Sequence, residues 1–176
     1  IALLLKVYPE VKEHIKEIVF MGGSLTRGNK DVMSEFNMAV DPEAAKIVFS
    51  SGLPLVMAGL DMGLKALVYP EDRDKIKVMN KTGEMMCCLF EKYRGGSYKT
   101  GLKMYDSCAI AYVLCPSIFE VEETYLDIET HGEYTAGCTI VDLKGYLGRE
   151  ANAKVCVELH EDIFKEWFLN ALSKCI

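Results

Sequence analysis

The feature that most constrains this chain is a pair of short apolar runs with a well-marked helix between them. The first run, EIVFM, covers residues 17–21 and ends at two glycines, and the second, LPLVMAGL, covers residues 53–60. Between them, DPEAAKIVFSSG has Asp41 as a helix N-cap, Pro42 at the first helical position and Gly52 beyond the end. Continuous apolar runs of this length are typical of strands buried in a parallel sheet. The order strand, helix, strand therefore predicts an α/β fold.

The rest of the chain continues this pattern. We expect an amphipathic helix over residues 1–14, divided by Pro9, and no repeat or linker that would separate domains. The later predicted elements are helices over 71–79 and 82–93, a helix from Asp106 to its stop at Pro116, strands over 123–130 and 153–159, and a closing helix in EDIFKEWFLNAL. Residues 1–176 are therefore expected to form a single α/β domain, with a mixed, mostly parallel sheet flanked by helices.

Charge, hydropathy and cysteine usage argue against several classes of protein. The formal net charge is −6 and no basic patch offsets it, which argues against a nucleic-acid partner. The longest apolar runs are too short to cross a bilayer, and the first residues lack the features of a signal peptide. The seven cysteines form no C-x-x-C pair, so free thiols are favoured over disulfides or a zinc site. We therefore expect a cytoplasmic protein without a membrane partner.

A polar loop, GGSLTRGNKDVMSEFN, follows the first predicted strand. Loops at the carboxyl ends of parallel strands are where open α/β sheets bind ligands. Asn29, Glu35 and Asn37 combine amides with a carboxylate, which suits a ligand with several hydroxyls, such as a sugar. The alternative is that the asparagines and glycines only build turns and that Glu35 is solvated.

Four segments in order resemble the inosine–uridine-preferring nucleoside hydrolase family. They are VFMGGSLTRGN, EFNMAVDPEAAKIVFSSGLPLVMAGLD, YDSCAIAYVLCP and DIETHGEYTAGCTIVD. The resemblance is collinear over essentially the whole chain. Its most specific part is the succession MGG, GN, EFN and DPEAA.

The resemblance implies a nucleoside hydrolase fold with a Rossmann-like core, and hydrolysis of the N-glycosidic bond of ribonucleosides to ribose and free base. It also implies a calcium ion that holds the ribose hydroxyls and the attacking water, with Asp106 matching one metal-binding acid. Tyr105 is the candidate for contact with the leaving base. The candidate substrate-binding residues are Met21, Asn29, Glu35, Phe36, Asn37 and Tyr98.

One departure from the family concerns its aspartate cluster, D-x-D-x-x-x-D-D, which has no match here. The nearest acidic group, EDRD at residues 71–74, is expected to be a solvated helix surface. The chain therefore resembles the carboxyl-terminal portion of a nucleoside hydrolase. Since calcium takes about six to eight oxygen ligands, the chain alone is expected to hold an incomplete site and to be inactive. A fragment, a second chain that supplies the missing half, and a degraded gene product all agree with this pattern.

A second departure is Tyr105, where many family members have histidine before the acid. A phenol with a pKa near 10 is a weaker proton donor at neutral pH than imidazolium. Tyr105 is expected either to stack on or hydrogen-bond to the base, or only to pack at the start of its helix. Tyr93 and Tyr98 flank the glycine-rich segment RGGSYKTG, which the resemblance places in a mobile flap.

Several other polar residues are expected to have structural roles. Asp61 is expected to cap a helix and at most to support the site indirectly. His131 is expected to face solvent, and three late acids are expected to stabilise strands and turns. Those acids are Asp127, Glu129 and Asp142.

Two other functions remain open on the sequence alone. A non-catalytic remnant or interaction module is consistent with the absent aspartate cluster. A nucleotide-phosphate site at FMGGS is disfavoured, because G-x-G-x-x-G is absent and no helix is predicted directly after the glycines. The resemblance further implies homodimers or homotetramers, and the base preference is not predicted.

Overall fold

The computed structural model describes residues 1–93, 96–97 and 99–176, with the backbone alone for 96 and 97. The chain divides into two compact units, which are described separately. Unit 1 comprises residues 1–61 and 120–158, and unit 2 comprises residues 62–119 and 159–176. The single-domain assignment for residues 1–176 stays a prediction.

The helices and strands follow the chain in an α/β order. The helices are α1 (Ala2–Val7), α2 (Phe36–Val40), α3 (Pro42–Phe49), α4 (Leu60–Gly63), α5 (Pro70–Lys77), α6 (Lys81–Phe90), α7 (Ser107–Leu114) and α8 (Glu161–Ser173), with 3₁₀ helices at Pro9–His14 and Pro116–Ile118. The strands are β1 (Ile18–Met21), β2 (Leu55–Ala58), β3 (Leu67–Val68), β4 (Gly96–Ser97), β5 (Gly101–Lys103), β6 (Phe119–Thr124), β7 (Leu126–Ile128), β8 (Thr139–Val141) and β9 (Ala153–Leu159).

Unit 1 is built on a four-stranded sheet in the order β1-β2-β9-β6. β1 pairs with β2 in parallel from Ile18 opposite Leu55, and β2 pairs with β9 in parallel from Leu55 opposite Ala153. All four residues of β2 are buried. The predicted parallel strands are therefore confirmed, and the buried centre of the sheet explains why β2 is apolar without alternation.

Helix α3 begins as the sequence predicts. The Asp41 carboxylate accepts a hydrogen bond from the Ala44 N–H at 2.9 Å, and Pro42 occupies the first turn. Pro9 likewise ends the first helical segment, because α1 stops at Val7 and a 3₁₀ helix begins at the proline. A helix that the sequence did not indicate, α2, begins at the last two residues of the predicted polar loop and precedes α3.

The strand predicted over residues 123–130 is wrong in one respect, since it is two strands. β6 ends at Thr124, and β7 then pairs antiparallel with β8, with Leu126 opposite Val141. The side chain of Asn152 accepts from the Leu126 N–H at 2.7 Å and donates to the Leu126 carbonyl at 2.9 Å. One amide thus binds both backbone groups of Leu126 at the point where the chain leaves the four-stranded sheet.

The structural roles expected for the late acids of unit 1 are present. Asp127 forms an ion pair with Lys46 at 2.6 Å, which joins β7 to α3. Glu129 accepts the N–H of His131, which is exposed as predicted, at 2.8 Å. Asp142 accepts two backbone N–H groups of the turn that follows β8.

Unit 2 contains a three-stranded antiparallel sheet in the order β3-β5-β4. Its strands contain two or three residues each, too few to show the alternation that identifies a strand in a sequence. Helices α5 and α6 confirm the helices predicted over 71–79 and 82–93, with ends that differ by a few residues. Helix α7 starts after Asp106 and ends before Pro116, also as predicted.

The prediction that the acidic segment 71–74 is solvated is wrong for Asp72. Only 1% of Asp72 is exposed, and its carboxylate lies 2.7 Å from the Lys165 ammonium of α8. The other carboxylate oxygen accepts the Tyr69 N–H at 3.1 Å, which closes the first turn of α5. The flanking acids Glu71 and Asp74 are exposed as expected. Within the described ranges, no helix is both long and apolar enough to cross a membrane.

Candidate functional site

The polar loop of unit 1 folds around the side chain of Glu35. Only 2% of Glu35 is exposed, so the alternative of a solvated carboxylate is wrong. Its Oε2 accepts hydrogen bonds from the backbone N–H groups of Gly23 and Asn37 at 3.0 Å and of Met38 at 3.3 Å. The carboxylate therefore caps α2 and holds the turn after β1 against the start of that helix.

The two Glu35 oxygens accept different numbers of hydrogen bonds. Oε1 accepts from the Asn37 N–H alone, at 3.0 Å, and that N–H is shared with Oε2. A carboxylate oxygen has capacity for about two acceptor bonds. Oε1 therefore has capacity for one further hydrogen bond.

Two exposed asparagines frame this carboxylate. The Asn37 Nδ2 donates to the Met21 carbonyl at 3.2 Å and lies 3.3 Å from the Met21 sulfur, so it is held over the end of β1. The Asn29 Oδ1 accepts the Phe36 N–H at 2.9 Å and fixes the other side of the loop. Met21 is half-buried, while Asn29, Phe36 and Asn37 are exposed. The structure thus brings Met21, Asn29, Glu35, Phe36 and Asn37 together at the carboxyl end of β1.

Two further side chains, which the sequence did not point to as site residues, anchor this loop. The Thr139 hydroxyl accepts the Ser24 N–H at 3.0 Å and donates to the Ser24 carbonyl at 2.7 Å. The Asp61 carboxylate accepts the Leu25 N–H at 2.6 Å and the Thr26 hydroxyl at 3.1 Å. Asp61 lies inside α4 and holds the loop, so the prediction that it caps a helix is wrong. Thr139 lies within the family-like segment DIETHGEYTAGCTIVD, which was the available signal for it.

The loop geometry does not favour a phosphate cradle at FMGGS. The Gly23 N–H donates to Glu35, and the helix that follows the loop begins only at Phe36, where the same carboxylate already caps it. A phosphate placed there would meet a carboxylate instead of free N–H donors.

The candidate residues of unit 2 lie at the start of α7. Asp106 occupies the N-cap position, is exposed, and makes no side-chain capping hydrogen bond. Beside it is a cavity of about 250 Å³ lined by Leu89, Phe90, Tyr93, Met104, Tyr105, Asp106 and Ser107. The cavity therefore combines apolar walls with two phenols and one carboxylate.

Both phenols of this cavity are partly withdrawn from water. Burial raises the pKa of Tyr105. Burial also raises the pKa of Tyr93, with smaller contributions from the neighbouring Tyr105 and Asp106. The Tyr93 hydroxyl donates to the Lys103 carbonyl at 2.7 Å. Both rings therefore stay protonated at neutral pH and can donate hydrogen bonds. Tyr98, the other aromatic residue predicted to contact substrate, lies outside the described residues.

A calcium site at Asp106 would need several further oxygen ligands. Calcium takes about six to eight oxygen ligands. Within the part of the chain that the structure describes, no three His, Cys, Asp or Glu side chains are grouped so that they could hold a metal. The exposed Asp106 carboxylate can supply one oxygen ligand.

The chain is similar to known hydrolases over nearly its whole length. Residues 1–166 match the inosine-uridine preferring nucleoside hydrolase family. The non-specific ribonucleoside hydrolase RihC of Salmonella typhi is 49% identical over 167 residues, which cover 95% of this chain and 55% of that protein. The chain thus spans about half the length of the curated relatives it matches.

Solved structures show the same similarity. The purine-preferring ribonucleoside hydrolase from Gardnerella vaginalis matches with a TM-score of 0.86 and 29% identity, over 98% of this chain and 56% of that one. An inosine-guanosine nucleoside hydrolase matches with a TM-score of 0.88 at 23% identity, over 99% of this chain and 58% of that one, and supports the α/β fold. Because residues 1–166 match the family and a curated member is 49% identical to it, this chain belongs to the inosine-uridine preferring nucleoside hydrolase family.

Proposed function

We propose that the protein containing this chain hydrolyses the N-glycosidic bond of ribonucleosides. Water adds its oxygen to C1′ of the ribose, the bond from C1′ to the base nitrogen breaks, and the base leaves with a proton. The observation that carries the proposal is the Glu35-capped loop at the carboxyl end of β1, which presents two exposed asparagines in a chain of this family.

In this proposal the loop of unit 1 binds the ribose. The exposed amides of Asn29 and Asn37 and the Oε1 of Glu35 offer donors and acceptors to sugar hydroxyls. Phe36, which is 54% exposed, and the half-buried Met21 offer apolar contacts to the carbon face of the sugar. Because the loop is held by buried hydrogen bonds from Glu35 and Thr139, these groups need little reorganisation when the sugar binds.

The same loop suits the transition state of this reaction. Positive charge develops on the ribose ring as the glycosidic bond breaks. The Glu35 carboxylate and the asparagine carbonyl oxygens carry negative charge or negative dipole ends. Groups fixed in advance near developing charge stabilise a transition state more than groups that must rearrange.

The residues at the start of α7 have separate roles. Asp106 would supply one carboxylate ligand to calcium, and the remaining ligands would come from outside the described residues. Bound calcium would orient the sugar hydroxyls and lower the pKa of a bound water. Tyr105, as a protonated phenol beside an apolar cavity, would stack on the leaving base or donate a hydrogen bond to it.

The test is ribose release by the natural polypeptide that contains this chain, with inosine and uridine as substrates and calcium present. We expect turnover that falls about 10-fold or more in Asn37→Ala, because one hydrogen bond of the transition state is lost. Val40, 69% exposed on the same helix, provides the matched control, and Val40→Ala should leave the rate unchanged. Absence of turnover on purine and pyrimidine ribonucleosides would instead favour a non-catalytic remnant.

Asp106 has a separate test. Asp106→Asn should raise the calcium concentration needed for half-maximal activity, since a charged ligand becomes a neutral one. An unchanged calcium dependence would contradict its role. The cytoplasmic location expected from the cysteine usage and the apolar runs stays a prediction, and so does the assembly into dimers or tetramers that the family resemblance implies.

A further inference from the structure

Gly63 lies directly against the ring of Tyr105. A Cβ atom built on Gly63 would overlap Cδ1 of that ring and lie 3.1 Å from both Cγ and Cε1. Cγ is the ring carbon bonded to Cβ, and Cδ1 and Cε1 lie along one side of the rigid ring. None of them is the end of a flexible side chain. A methyl group at position 63 therefore requires the ring itself to move.

The need for glycine here comes from space and not from backbone conformation. Several other glycines of the chain, such as Gly23, Gly52 and Gly101, have positive φ angles that favour glycine. Gly63 ends α4 and is not among the residues with positive φ. An alanine would suit its backbone, so the packing of Tyr105 is what excludes a side chain.

The ring held in this way also lines the cavity beside Asp106. Burial against Gly63 removes rotational freedom from the ring, which leaves Tyr105 with a defined place in the cavity wall. A group that must contact a leaving base gains from such a fixed position, because small displacements of a reacting or contacting group lower rates steeply.

We propose that Gly63 is a positioning residue for Tyr105: the missing side chain at position 63 sets where the Tyr105 ring meets the leaving base. This inference rests on the proposed function for its kinetic consequence. The packing itself is independent of that function and has its own test.

The kinetic test is a double-mutant cycle in the natural polypeptide, with Gly63→Ala, Tyr105→Ala and the double variant. We expect Gly63→Ala to lower kcat for inosine about 10-fold, with a much smaller change in KM, when Tyr105 is present. In the Tyr105→Ala background there is no ring to displace, so the same change should alter kcat less than about 2-fold. Equal losses in both backgrounds would overturn the proposal.

Gly52→Ala provides the matched control. Gly52 has a positive φ of 78° and open space around the position of a Cβ, so alanine there strains the backbone without touching Tyr105. We expect this variant to lower the melting temperature and leave kcat unchanged. A loss of kcat equal to that of Gly63→Ala would assign the effect to general destabilisation and overturn the proposal.

NMR of protein with labelled tyrosine rings measures the environment of the ring without relying on enzyme activity. Tyr105→Phe identifies the Tyr105 signals, which should shift in Gly63→Ala and stay in place in Gly52→Ala. If wild-type protein shows no hydrolysis, the proposed function fails while this measurement still tests the packing. Unshifted Tyr105 signals in Gly63→Ala would overturn the inference even in an active enzyme.

Folding failure of Gly63→Ala is also informative. The double variant removes the overlap, so it should recover the folded near-UV circular dichroism spectrum if the ring caused the failure. A double variant that stays unfolded while Tyr105→Ala alone folds would overturn the proposal.

Discussion

The buried carboxylate of Glu35 accepts the backbone N–H of Gly23 at 3.0 Å, so the residue that caps α2 also fixes the turn after β1. This bond joins two parts of the polar loop that are separated by twelve positions in the chain. It makes the shape of the loop depend on one side chain.

Glu35→Ala should destabilise the protein by about 3 kcal/mol, because the Gly23 and Met38 N–H groups lose their acceptor in a buried place. Glu35→Gln keeps an acceptor oxygen and should cost about 1–2 kcal/mol. The measurement is urea unfolding, with exposed Glu133→Ala as a control expected to change stability by less than about 0.5 kcal/mol. Equal stability of Glu35→Ala and wild type would contradict the anchoring role.

Thr139 provides a second test of the loop, since its hydroxyl makes two buried hydrogen bonds to the Ser24 backbone. Thr139→Val keeps the shape but removes both bonds, and should cost about 1–3 kcal/mol of unfolding free energy. Thr139→Ser keeps the hydroxyl and should cost less than about 1 kcal/mol. A serine variant as unstable as the valine variant would show that packing, not hydrogen bonding, determines the loss.

The burial of Asp72 predicts that two alanine substitutions in one helix differ in how much they lower the free energy of unfolding. Asp72→Ala removes the acceptor of the Tyr69 N–H and the partner of Lys165, and should destabilise unit 2 by about 2–3 kcal/mol. Asp74→Ala, at an exposed position of the same helix, should stay within about 0.5 kcal/mol of wild type. Chemical denaturation compares the two, and similar losses would argue against the ion pair as the cause.

Asp127 predicts a dependence of stability on pH. Burial acts to raise its pKa, but hydrogen bonds from the Lys46 ammonium, the Ile128 N–H and the Tyr125 hydroxyl outweigh it, so the pKa is lowered on folding. The stabilisation is therefore complete above the unfolded-state pKa of about 3.9 and is lost as the pH falls through the lower folded-state value.

Asp127→Asn should consequently be less stable than wild type near neutral pH, by about 1 kcal/mol because Lys46 is nearly half exposed. The difference should shrink as unfolding is measured at pH values from about 6 down to about 3. Lys46→Gln, which removes the main partner, should show the same trend. A difference that stays constant over this range would contradict the assignment.

The sequence predicted the parts of the fold in which local signals and packing agree. The cap at Asp41, the proline after it and the uninterrupted apolar run of β2 each identify their element without tertiary information. Asp72 was misjudged because its partner, Lys165, lies on a helix at the other end of the chain. An acid in a charged run looks solvated until that partner is known.

The candidate site was predicted as a set of residues but not as a geometry. The order of Asn29, Glu35 and Asn37 pointed to a hydroxyl-binding loop, and the structure places them around one turn. That Glu35 would be buried as a cap was not predictable, because its hydrogen-bond donors are backbone groups that nearly every residue carries. The roles of Thr139 and Gly63 could not be predicted for a related reason, since each residue acts through a contact with a segment distant in the chain.

The sheet order β1-β2-β9-β6 has a consequence for synthesis of the protein on the ribosome. One long edge of β2 is covered by β9, which emerges only after all of residues 62–119 have been made. The nascent chain therefore carries an apolar strand with unpaired backbone groups for much of its translation, a state that favours wrong partners. Chaperone binding to the emerging polypeptide should be strongest in this interval and should fall once residues 153–159 leave the exit tunnel.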